Sequence, residues 1–261
     1  VKPLDRRTLL TGLAAGAVAG CSGGGGTKGA AGATPAATPA GTSPSPRASA
    51  TAPTPSASPA AGLPFQLDSG PRTGTAVALT FHGQGDPAIA TSLLGEAERA
   101  GARLTVLAVG TWLDEQPQLA RRILDGGHEL GNHTLHHVDI SGMDAAGAYA
   151  EIDGCAQRLR KLTGSIGRWF RPSQAKDATA LVAAQARRAG YGHALGYDVD
   201  SLDYTDPGSA AVVRNVLGGV RAGSVVSLHF GHAGTVTALP AILDGLHRRG
   251  LRAVTTSELF A

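Results

Sequence analysis

The chain has 261 residues, is 42% hydrophobic and carries a formal net charge of +3. That length allows one domain with a sizeable core. Setting aside the first twenty residues removes three basic side chains and one acidic one and leaves +1, a near-neutral balance that argues against a nucleic-acid partner.

In chain order, Lys2, Arg6 and Arg7 open a basic start, and residues 9–20 are apolar or small throughout. Those residues fall short of the roughly 20 a bilayer-spanning helix needs, so they read as a signal segment. Val18-Ala19-Gly20-Cys21 resembles a bacterial lipobox, with Cys21 as the lipidated first residue of the mature protein, and the Arg6-Arg7 pair resembles a Tat signal. The expected location is the outer face of the cell membrane, as a lipoprotein. Residues 21–62 continue as the lipidated cysteine and a Gly, Ala, Thr, Ser and Pro tether whose only charges are Lys28 and Arg47. Such composition has too little apolar surface to offset the entropy of ordering, and its Pro steps favour extension. The folded domain is expected over residues 63–261. With Cys21 acylated, Cys155 has no disulfide partner and reads as a small core residue.

The domain alternates short apolar runs with helical patterns. Strands are expected at 77–81, 104–109, 129–133, 168–170, 193–199, 225–230 and 251–254. Helices are expected at 89–100, 118–124, 145–162, 179–189, 210–220 and 235–249. Repeated strand–helix units predict an α/β fold with a parallel sheet, as a barrel or a doubly wound sheet. Seven strands are one short of the eight-stranded barrel. No glycine-rich phosphate loop follows the first strand, so a nucleotide is not indicated.

Four of the nine histidines fall in His128-Glu129-Leu130-Gly131-Asn132-His133-Thr134-Leu135-His136-His137. His133 and His137 are four apart, a spacing that on one helical turn stacks two imidazoles close enough to share a metal ion. The other chemistry-bearing residues follow strands. His82 and Asp86 follow the first, Arg171 the fourth, Asp200 and Asp203 the fifth, and His229 ends the sixth. All gather where parallel α/β folds place their sites.

From about Thr75 onward these residues resemble the polysaccharide deacetylases with a NodB-homology domain, carbohydrate esterase family four. The family's His-Ser/Thr-x-x-His motif is matched by His133 to His137, its Arg-Pro pair by Arg171-Pro172, its Asp-x-x-Asp motif by Asp200 to Asp203, and its Leu-His strand end by Leu228-His229. The resemblance implies a distorted (β/α)7 barrel and metal-dependent hydrolysis of an N-acetyl, or O-acetyl, group on a glycan such as peptidoglycan, a chitin-like oligomer or xylan. It implies a divalent metal, zinc above all, on His133 and His137, with His229 protonating the leaving amine and Asp203 holding His229.

The first motif departs from that pattern. Where the family has Thr-Phe-Asp-Asp-Gly-Pro, this chain reads Thr80-Phe81-His82-Gly83-Gln84-Gly85-Asp86-Pro87, so a base and a metal ligand are both displaced. Two arrangements are open. In one, Asp86 completes the metal set with His133 and His137 while His82 acts as base; in the other, His82 is the third ligand and Asp86 the base. The first keeps a His-His-carboxylate set and is the expectation carried forward, with His82, Arg171, Asp203 and His229 as the catalytic group. Tyr204 stands where the family has Trp, and Ser173-Gln174 where it has Pro-Tyr. The missing Asp pair also leaves a second class of function open, a non-catalytic glycan- or metal-binding lipoprotein.

Overall fold

The computed structural model describes residues 62–261. The signal segment, Cys21 and all but the last residue of the tether lie outside them. Strand β2 (Ala76–Gly83) is the hub, pairing in parallel with β3 (Thr105–Ala108), β8 (Val225–His229) and β9 (Arg252–Val254). Beyond β3 come β4 (Glu129–Asn132), β5 (Trp169–Phe170), β6 (His193–Leu195) and the two-residue β1 (Gln66–Leu67); beyond β8 comes β7 (Val199–Asp200). Every strand pairing is parallel.

The sheet is curled into a distorted barrel. β6 and β7 sit towards opposite ends of the strand order, yet only residues 196–198 separate them. So short a link spans no more than about 14 Å, at roughly 3.5 Å per residue, so the two sheet ends must meet. The strand expected at 193–199 is thus two strands. Its first half pairs with β5 and β1 and its second with β8, which is how one segment closes the barrel.

Helices α1 (Pro87–Arg99), α3 (Pro117–Asp125), α4 (Ala145–Thr163), α5 (Ala180–Arg188), α6 (Ser209–Gly219) and α7 (Ala233–Arg248) match the expected patterns to within a few residues. α2 (Gly110–Glu115) and α8 (Thr256–Leu259) are additional and short. Pro117 starts α3 and so separates it from α2, while Thr255 and Glu258 form a capping box on α8.

Side-chain alternation along β2 decides where chemistry can occur. Val77, Leu79 and Phe81 belong to the main core between sheet and helices, whereas Ala78 belongs to a second cluster with Leu107, Trp169, Leu195, Val225 and Phe260. Thr80 and His82 continue Ala78's side of the strand, at the carboxyl end. Gly83 is on the outer side. A Cβ there would meet Val106 Cγ1 at 2.8 Å and Ala108 Cα at 3.0 Å.

Candidate metal centre

β2 and β8 set the first pair of histidines. Their register matches Thr80 with Ser227 and His82 with His229, so the two imidazoles are cross-strand neighbours stacked at 4.2 Å between ring centroids. His133 follows β4, and its ring stands edge-on to His82 at 4.5 Å and to His137 at 4.8 Å. Ligand nitrogens of His82, His133 and His137 all lie within 4.8 Å of one another.

His133 and His137 do not share a helical turn. The chain from 133 to 137 is a loop in which Thr134 and His137 have φ of 69° and 57°. Such left-handed backbone is costly outside glycine, and buried polar groups hold it. Asn132 Oδ1 accepts from Thr134 N, and its amide donates to Ile152 O and Tyr191 Oη. Glu151 accepts from the backbone N–H of Leu135 and His136 and contacts His136 Nδ1 at 2.6 Å. Gln174 donates to His137 O.

Arg171 is fully buried and ties the strands together. It donates to Leu195 O, Gly196 O and Thr80 Oγ1 at 2.8–2.9 Å, and Nη1 lies 3.2 Å from His82 Nε2. No carboxylate, Asp86 and Asp200 included, is in ion-pair range of Arg171 among the described residues. Burial accordingly lowers the Arg171 pKa to about 10.

This network fixes proton positions. His133 Nδ1 donates to Arg171 O at 3.0 Å, leaving Nε2 with its lone pair. Guanidinium nitrogens only donate, so His82 Nε2 accepts from Arg171, and His82 Nδ1 donates to His133 Nε2 at 2.8 Å. Moving that proton to Nε2 would free Nδ1 as a ligand; Ser227 Oγ, 3.1 Å from Nε2, is placed to accept its hydrogen bond, in place of the one Arg171 donates. Burial, followed by the charge of neighbouring groups, holds His82 and His133 well below the ordinary 6.5 and lowers His137 as well. Neutral imidazoles are the form that ligates metal. The donor set therefore fits a divalent ion that favours nitrogen, of which zinc is the common case.

The three histidines take up protons more readily in the unfolded chain. Metal-free protein should therefore lose stability as pH falls through and below 6.5. Thermal melts across that range check this; a melting temperature that holds or rises on acidification would contradict it.

His229 stands beside the trio with its own buried anchor. Its Nδ1 is 2.7 Å from Asp203 Oδ1, and Asp203 Oδ2 accepts from His229 N and Thr235 Oγ1, both at 2.8 Å. Burial alone would raise the Asp203 pKa, but these hydrogen bonds, the His229 side chain foremost, lower it on balance. A carboxylate so held orients the His229 ring, whose Nδ1 donates to it. Tyr204, half exposed, is edge-on to His229 at 5.5 Å, and Ser173 Oγ bonds Val138 O.

Asp86 is not part of this assembly. Its carboxylate accepts from Ala88 N at 2.8 Å and caps α1. Instead of the expected Asp86–His133–His137 set, the donor atoms that meet among the described residues are those of His82, His133 and His137, as in the other of the two arrangements. Asp200 likewise serves a turn, accepting from Leu202 N. The sequence reading missed Thr80, Asn132, Glu151 and Ser227. Thr80 and Ser227 share the inward side of their strands with His82 and His229, and that alternation was the signal available for them.

A family model described as polysaccharide deacetylase matches residues 69–194. A chitooligosaccharide deacetylase from Bradyrhizobium sp. (strain ANU 289) is 30% identical, the match covering 67% of this chain and 86% of the relative. A peptidoglycan-N-acetylglucosamine deacetylase from Bacillus cereus is 31% identical, covering 72% and 90%. Among solved structures, a CE4 family pseudoenzyme from Bacillus anthracis superimposes with a TM-score of 0.71 at 20% identity, over 76% of this chain and 69% of its own.

Proposed function

The chain belongs to the polysaccharide deacetylase family, and on that premise we propose that it removes N-acetyl groups from a cell-envelope glycan with a metal held by His82, His133 and His137. The observation that carries this reading is the meeting of three neutral imidazoles with a buried His–Asp pair at the carboxyl ends of the strands. Two relatives named for N-acetylated glycans, chitooligosaccharide and peptidoglycan, supply the substrate class. Export and anchoring through Cys21 would place the domain beside such a substrate.

A zinc ion bound there would bring water to a pKa near about 7 and polarise the acetyl carbonyl. The remaining work falls to His229. His82 has no free nitrogen with which to serve as a base, because Arg171 and Ser227 flank Nε2 while Nδ1 faces His133. Asp86 is committed to its helix cap. His229 therefore receives the proton of the attacking water and returns it to the leaving amine, with Asp203 fixing the ring through both steps. Arg171 acts at one remove, tying Thr80 to the Leu195 and Gly196 carbonyls and, through its own carbonyl, orienting His133.

A second reading has its own support. No carboxylate reaches the histidine trio among the described residues, and the B. anthracis structure shows that a pseudoenzyme exists on this fold. Acetate release from N-acetylated chitooligosaccharide and from peptidoglycan separates the two. The enzyme reading predicts release that a chelator abolishes and zinc restores. Glycan binding without release, with or without metal, would establish the non-catalytic reading instead.

A further inference from the structure

Five cations stand around two adjoining helix ends, away from the histidine trio. Arg160 and Lys161 stand in the last turn of α4, Arg187 and Arg188 in the last turn of α5, and Arg168 just before β5. The two helix ends are neighbours: Tyr191 Oη donates to Ile166 O at 2.8 Å, and a Cβ at Gly190 would meet Ile166 Cδ1 at 3.2 Å. All but Arg168 are exposed.

Cations at helix C-termini are ordinary, because the macrodipole favours them there. What distinguishes this corner is the number of cations without a carboxylate around two adjoining helix ends. Elsewhere Arg99 pairs with Glu96, Arg122 with Glu98 and Arg248 with Asp244, while Arg249, at the end of α7, donates to Leu217 O instead. Among the described residues, none of the five corner cations has a carboxylate within 4.0 Å. Arg187 stacks over Phe65 at 4.0 Å, which holds its guanidinium against an aromatic ring, whereas Arg188 reaches back over Tyr149, in the second turn of α4, at 3.9 Å.

Two further observations give the corner a direction. Phe65, under Arg187, stands close to the start of the domain, and Pro64 O bonds His193 Nδ1. The first described residues of the domain therefore lie at this corner. Helices that follow parallel strands run back antiparallel to them, so the last turns of α4 and α5 lie at the opposite end of the barrel from the histidine trio. A basic face at the tether and a site at the far end are the arrangement an anchored enzyme needs to work away from its membrane.

We propose that this corner docks on anionic lipid headgroups and orients the site outward. Clusters of four to eight Lys and Arg bind anionic bilayers. The proposal takes its setting from the reading of Cys21 as a lipid anchor, but its test does not depend on acylation. Full-length Cys21→Ser protein, which has no acyl chain, is mixed with phosphatidylcholine vesicles with and without phosphatidylglycerol. Sedimentation with the phosphatidylglycerol vesicles only, reversed by high salt, is expected. Arg160→Glu with Lys161→Glu, which leaves the stacked arginines in place, should weaken binding by about tenfold or more with an unchanged circular dichroism spectrum. Indifference to phosphatidylglycerol, wild-type binding by the variant, or binding of soluble poly(glycerol phosphate) but not vesicles would overturn the proposal. Membrane fractionation of cells expressing wild type or Cys21→Ser tests the anchor separately.

Discussion

His229→Ala is expected to lower turnover by about 100- to 10,000-fold, the usual effect of losing a general acid or base, and to leave metal content unchanged. The larger end of that range is expected because one imidazole serves both proton transfers. No substitute stands ready: His82 and His133 are bonded to one another, and Asp203 is fully buried behind His229. Steady-state acetate release with metal analysis of the same preparation checks both halves. Turnover within a few-fold of wild type would remove His229 from the mechanism.

Gly83→Asp is expected to damage the fold rather than repair the site, although it recreates the acidic residue the family has at this position. The new side chain would project to the outer side of β2, where its Cβ meets Val106 Cγ1 at 2.8 Å and Ala108 Cα at 3.0 Å. Overpacking a core costs about 1–3 kcal/mol, and an unpaired buried carboxylate adds several more. Thermal denaturation should show a large loss of stability with no gain in zinc affinity. A stable variant that binds zinc more tightly would mean that position 83 can face the histidines.

That contrast shows what the sequence could convey. The strands and most helices were legible because a buried parallel sheet writes itself as apolar runs between amphipathic stretches. His82, Arg171, Asp203 and His229 were legible as a group because each ends or follows a strand. Two kinds of information were not. The conformation of residues 133–137 depends on Asn132 and Glu151, and Glu151 lies well along α4, so spacing alone suggested a helical turn that does not exist. The fate of Asp86 depends on where α1 begins. Asp followed by Pro is an ordinary helix start, with the carboxylate as N-cap and proline in the first turn. That local demand outweighed the expectation that a carboxylate must complete the metal set.

The central claim is that His82, not Asp86, completes the centre, and direct zinc titration of His82→Ala and Asp86→Ala tests it. Wild type should bind one zinc ion. His82→Ala should lose affinity by more than the roughly 10- to 100-fold that outer-shell changes cost. Asp86→Ala should bind zinc as wild type does and show only the loss of a helix cap, about 0.5–2 kcal/mol of stability. Loss of zinc from Asp86→Ala with retention by His82→Ala would contradict the account.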